Sequence, residues 1–153
     1  MKLYVNEIIR TNNFEDDDMM NKILGMWDSF YKNNDDYKGE VYAVYHDYES
    51  DYKGDYSLAL CTEDISADKF FEVDFADSTE YKCSGKDEII NVWKRIWGDE
   101  EKNKIQRSYY IDCEEYKKRW VSCYTSFFRF FETSFKKSQK ISSLNTFECT
   151  VIK

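Results

Sequence analysis

Two stretches with helical period, carrying the same apolar pattern 66 residues apart, constrain this chain more than any other feature. Met20, Ile23, Leu24, Trp27, Phe30 and Tyr31 recur at three- and four-residue steps, which places them on one helix face. Ile89, Ile90, Trp93, Ile96 and Trp97 do the same. Ile23-Leu24-Gly25-Met26-Trp27 superposes in pattern on Ile89-Ile90-Asn91-Val92-Trp93. The acidic run Glu15-Asp16-Asp17-Asp18 precedes the first stretch, where carboxylates offset the unsatisfied N–H groups of a helix start. Ser84-Gly85-Lys86-Asp87 precedes the second with capping-box spacing, Asp standing in for Glu. Helices are predicted near residues 17–31 and 86–97, the second ending by Gly98.

Between and after them the period drops to two. Leu3 to Arg10, Val41 to Tyr48, Tyr56 to Thr62, Gln106 to Ile111 and Val121 to Phe128 read as strands. Phe71, Val73 and Phe75 alternate with Glu72 and Asp74 and predict one more. Glu49 to Asp55 forms a long polar hairpin connection around Gly54. The order strand, helix, strand, strand then occurs twice, as the repeated helix pattern implies. The expected fold class is α+β: duplicated βαββ units, with two helices packed on an antiparallel sheet.

Several functions are excluded by what is present. Aromatics make up 18% of 153 residues, too many for a disordered chain. A net charge of −8 repels nucleic-acid phosphates, so no direct nucleic-acid binding is expected. No apolar run approaches the ~18 residues of a membrane span, and the first residues lack a signal-peptide core. A cytoplasmic location without membrane association is expected. The five cysteines are widely spaced and His46 is the one histidine, so a zinc site or a Cys-His pair has little to build on. His46 reads as an ordinary strand residue. Counting Gly54 as the sixth position of a calcium loop puts Lys53 in the coordination shell and Leu60 where the closing carboxylate belongs. No glycine pattern for cradling phosphates occurs. Neither a metal nor another cofactor is expected, and no residue is singled out as catalytic.

The stretch Gly39 to Asp51, continuing to Gly54-Asp55-Tyr56, resembles the first hairpin of GyrI-like effector-binding domains. Those modules bind small molecules, alone or fused to transcription regulators of AraC and MerR type. Leu24-Gly25-Met26-Trp27 with Phe30, Trp93-Lys94-Arg95-Ile96-Trp97, Arg107-Ser108-Tyr109 and Asp112-Cys113-Glu114-Glu115-Tyr116 follow in the family's order. The last is similar to its D-F-E-x-Y, with Cys113 for Phe. The resemblance covers residues 3–128 and implies a central ligand cleft between the halves, lined by aromatics around a carboxylate, carried here by Glu114. Residues 129–153 carry five basic and two acidic side chains, against a net −11 on the rest, and form a C-terminal extension outside the resemblance.

An ionised carboxylate among aromatic faces attracts a lipophilic cation. Trp93 and Trp97, four residues apart on one helix, face the same way and serve either core or cleft. Tyr45 and Tyr56 on the hairpin, and Tyr110, are equally core or cleft wall. The expected function is a stand-alone domain for amphipathic or cationic aromatic compounds, in sensing or sequestration. The expected partner is therefore an aromatic or cationic small molecule. Two alternatives stand beside it: a hydrolase of electrophilic xenobiotics with Glu114 as general base, and a protein-interaction module of gyrase-inhibitor type.

Overall fold

The computed structural model describes residues 1–83, 85–117 and 121–127. The predicted extension, 129–153, lies outside them, as does Ser84 of the expected capping box. The elements run β1 (Lys2–Thr11), α1 (Met19–Asn33), β2 (Val41–His46), β3 (Tyr56–Thr62), β4 (Phe70–Glu72), β5 (Ser78–Cys83), α2 (Ile89–Glu101), β6 (Arg107–Tyr116) and β7 (Val121–Phe127). All seven strands join one antiparallel sheet in the order β4-β1-β3-β2-β6-β7-β5. The fold class is α+β. Among the described residues no helix is long and apolar enough to cross a membrane.

The sheet cannot be flat. β4 and β5 are its outermost strands on opposite edges, yet only residues 73–77 join them. Six strand spacings of ~4.8 Å would hold the edges ~29 Å apart in a flat sheet. The chain from Glu72 to Ser78 reaches at most ~22 Å. The sheet therefore curls toward a half-barrel, with residues 73–77 strapped across its hollow. Leu3, Tyr42, Val44, Ala59, Cys61, Phe71, Val73, Ile111 and Cys113 fill that hollow, and Phe75 stacks on Tyr124 at 4.3 Å. His46 belongs to this side too, with its ring 4.8 Å from Phe71, and burial lowers its pKa.

The helices cover the other face. Met26 and Phe30 of α1 pack on Val41, Ala43, Tyr56, Leu58 and Leu60. Val92, Trp93 and Ile96 of α2 pack on Cys83, Val121 and Cys123. Covered on both sides, β3 is buried at every position. Cys61, Cys83, Cys113 and Cys123 are buried free thiols, each held above its ordinary pKa by burial, and none is poised as a nucleophile.

Four expectations need correction. The alternation Phe71/Val73/Phe75 reports burial on one side, but β4 ends at Glu72, opposite Lys2, where its antiparallel partner β1 begins. Phe75–Asp77 is a 3-10 turn, started by the Asp74 carboxylate accepting from the Ala76 N–H at 3.0 Å. β5, mostly polar and on an edge, carried no strand signal. α2 runs through Gly98, which has no positive φ, so this glycine costs helix propensity without ending the helix. β6 extends to Tyr116 because β2 and β7 pair with it as far as that residue.

The buried stripe of α1 is also narrower than its period suggested. Met20, Leu24 and Tyr31 are exposed, and Met26 takes their place in the core. Ile90 of α2 is likewise exposed. Phe30→Ala should therefore lower unfolding free energy by ~3–5 kcal/mol, whereas Leu24→Ala should change it by no more than ~0.5 kcal/mol. Urea denaturation of both variants reads the difference, and equal losses would put Leu24 back in the core.

Candidate functional site

Residues two apart on a strand face the same side, so Asp112, Glu114 and Tyr116 of β6 all point to the helix-bearing face. Glu114 pairs with Ala43 on β2 and Cys123 on β7. Both neighbours are small, which leaves room above the carboxylate for larger groups from farther along. Tyr45 of β2 donates to Oε1 at 2.8 Å, and the Trp93 indole N–H of α2 donates to the same oxygen at 2.5 Å. Tyr116 donates to Oε2 at 2.6 Å. Glu114 is 2% exposed. Burial raises its pKa above the ordinary 4.5, and the three hydrogen bonds pull the other way without cancelling it. Burial, followed by the charge of Glu114, holds Tyr45 and Tyr116 protonated and therefore available as donors.

A second buried polar set adjoins the first through Trp93. Arg107, 2% exposed, donates through Nη2 to Asp112 Oδ2 at 2.5 Å, and Tyr48 donates to that oxygen at 2.7 Å. Its guanidinium lies 4.4 Å from the Tyr109 ring and 5.6 Å from that of Trp93. β6 bulges between Arg107 and Asp112, with Tyr109 in the left-handed region at φ 55°. A bulky residue held there is strained, and the bulge turns Arg107 inward onto Asp112.

The six residues singled out by sequence occupy four different settings. Glu114, Tyr45 and Trp93 meet directly. Tyr56 is buried one layer away, its ring 5.5 Å from Tyr45 and its hydroxyl on Asn13. Trp97 stacks on Tyr52 at 5.0 Å and 12°, with Phe14 at 5.8 Å, under the loops rather than over the carboxylate. Tyr110, 41% exposed, stands apart from the buried set. Sequence reasoning passed over Tyr116, although its spacing from Glu114 already placed both on one face. It also passed over Trp27, whose ring meets Tyr116 edge-on at 4.8 Å. Among the described residues no group of three or more His, Cys, Asp or Glu side chains is placed to hold a metal ion.

The structure supplies the Glu114 carboxylate with three donors, and burial still outweighs them. A carboxyl whose folded pKa is raised keeps its proton longer in the folded state. Its contribution to stability is thus lost as pH rises from about 4.5 through the folded value. Glu114→Gln should flatten this loss and hold or raise stability at neutral pH. Urea midpoints from pH 4 to 8 test it, and parallel curves for the two proteins would show a folded pKa close to the ordinary one.

No family model matches the chain, and no curated protein matches it. An integron cassette protein from the mobile metagenome of Vibrio cholerae, seen in a crystal structure, is similar in fold. The TM-score is 0.70 at 22% sequence identity, covering 82% of this chain and 89% of that one. Identity at that level supports a common fold and leaves function to the site.

Proposed function

We propose that this chain is a small-molecule-binding domain of GyrI-like type over residues 3–128, taking amphipathic or cationic aromatic compounds between α1 and α2 for sensing or sequestration. The observation that carries the reading is the buried Glu114 carboxylate ringed by Trp93, Tyr45 and Tyr116. A carboxylate offers about four acceptor positions. The described donors use two on Oε1 and one on Oε2, and the reading puts a ligand N–H or cation on the remaining acceptor position of Oε2.

The reading includes two βαββ units, β1-α1-β2-β3 and β5-α2-β6-β7, with β4 as an addition. In support, the strand order runs outward from the β2/β6 junction as 2-3-1 and 6-7-5. The contacts across the junction are reciprocal as well. Trp27 of the first unit meets Tyr116 of the second edge-on at 4.8 Å, and Trp93 of the second meets Tyr45 of the first at 5.1 Å. A ligand cleft at this junction draws on both helices equally.

A second reading, an interaction module of gyrase-inhibitor type, draws on the apolar residues that α1 leaves exposed, Met20, Leu24 and Tyr31. Stable co-elution with DNA gyrase would favour it. Binding of tetraphenylphosphonium and rhodamine 6G, followed by thermal shift and calorimetry, tests the first reading. Glu114→Gln should weaken these cations by ~1–3 kcal/mol and leave neutral analogues nearly unchanged. Equal losses for charged and neutral compounds would mean that Glu114 shapes the site without reading charge. Chemical conversion of an electrophilic compound would move the assignment to a hydrolase.

A further inference from the structure

The outer edge of the Glu114 group is occupied by a cation of the chain itself. Lys86 opens the short 3-10 turn Lys86–Glu88 that leads into α2. Its Nζ lies 5.7 Å from the centroid of the Trp27 ring and 5.6 Å from that of Tyr116. The Tyr116 hydroxyl reaches Glu114 Oε2 at 2.6 Å. An ammonium, two aromatic rings and a buried carboxylate are therefore in sequence, and the ammonium comes from a side chain exposed to solvent.

We propose that Lys86 is a tethered competitor for the cation position and sets the site's selectivity for bulky, weakly hydrated organic cations over small amines. This deepens the ligand-binding reading of Glu114 and rests on it. A lysine ammonium is compact and strongly hydrated, so it gives up water reluctantly. Its distances to both rings lie near the outer end of the ~6 Å cation–π range, which suits an ammonium that stays partly in water. A small amine has the same chemistry as Lys86 and a lower local concentration, so it gains nothing by exchange. A delocalised or quaternary cation sheds water at lower cost and lays apolar arms on Trp27 and Tyr116. It displaces the lysine into solvent. Selectivity then comes from an incumbent that only a better cation removes.

The test uses Lys86→Gln, which removes the charge at similar length, and Lys86→Arg, which keeps it. Both change an exposed side chain, and thermal unfolding confirms that the variants fold. Calorimetry with tetraphenylphosphonium, n-butylammonium and neutral triphenylphosphine oxide gives the affinities. Lys86→Gln should tighten tetraphenylphosphonium about two- to fivefold, the equivalent of one exposed cation–π contact. It should bring n-butylammonium into the measurable range and leave triphenylphosphine oxide unchanged. Lys86→Arg should remain at or below wild-type affinity for both cations. In the wild-type protein, acetylation of Lys86 by a succinimidyl ester, read by peptide mass spectrometry, should rise when tetraphenylphosphonium is bound. Tetraphenylphosphonium binding equally to wild type and Lys86→Gln would overturn the lysine's role and leave the Glu114 reading intact. Weaker binding by Lys86→Gln would make Lys86 a ligand contact and overturn competition. No binding by either protein would overturn both proposals.

Discussion

A carboxylate withdrawn from water within a sheet has to find hydrogen-bond donors, and Glu114 finds its three on three separate elements. Tyr45 comes from β2, Trp93 from α2 and Tyr116 from β6 itself. The strand register, the seating of α2 and the direction of two tyrosines are thereby tied to one group. Small residues beside it, Ala43 and Cys123, make space for those donors. Removing a single donor would leave the buried carboxylate with two, and a buried acceptor that loses a partner costs more than the net contribution of the hydrogen bond.

The same strands serve two unlike faces. Toward the hollow of the curled sheet they present Tyr42, Val44, Cys61 and Cys113, an apolar filling closed by the strap over residues 73–77. Toward the helices they present tyrosines and carboxylates set among indole rings. Alternation along β6 divides these duties, with Cys113 facing the hollow and Glu114 facing the helices. Glu115, on the hollow side, accepts from Tyr42 and Tyr124, whereas Glu114 and Asp112 lie on the helix side. There Arg107 with Asp112 forms a second compensated charge pair touching Trp93. At the rim the solvent-exposed Lys86 ammonium lies near the Trp27 and Tyr116 rings.

The alternation of period was legible along most of the chain because it reflects local geometry. Both helices, the hairpin strands and β7 lie where the pattern put them. β3 matches at both ends, since Tyr56 and Thr62 bound a run of residues suited to burial on two faces. β5 escaped notice because an edge strand with polar residues has no burial to record in its sequence. The strand expected at Phe71–Phe75 was half right for a related reason. Burial on one side produces alternation whether or not a partner strand supplies hydrogen bonds.

For the site, sequence placed Glu114 among aromatics only through a resemblance to known modules, and the spacing Asp112, Glu114, Tyr116 put three polar groups on one strand face. Those are local facts, independent of what packs above. Which aromatics reach the carboxylate was decided by the tertiary structure, because Tyr45, Trp93 and Trp27 arrive from elements distant in sequence. The same applies to the stripe of α1 that is buried, where Met26 replaced Leu24 once the helix was rotated onto β2 and β3. A 3.6-residue period defines a broad apolar face, and only contact with a particular sheet selects which part of it leaves water. The curl of the sheet likewise follows from a short connection between two edges that nothing in the local sequence brings together.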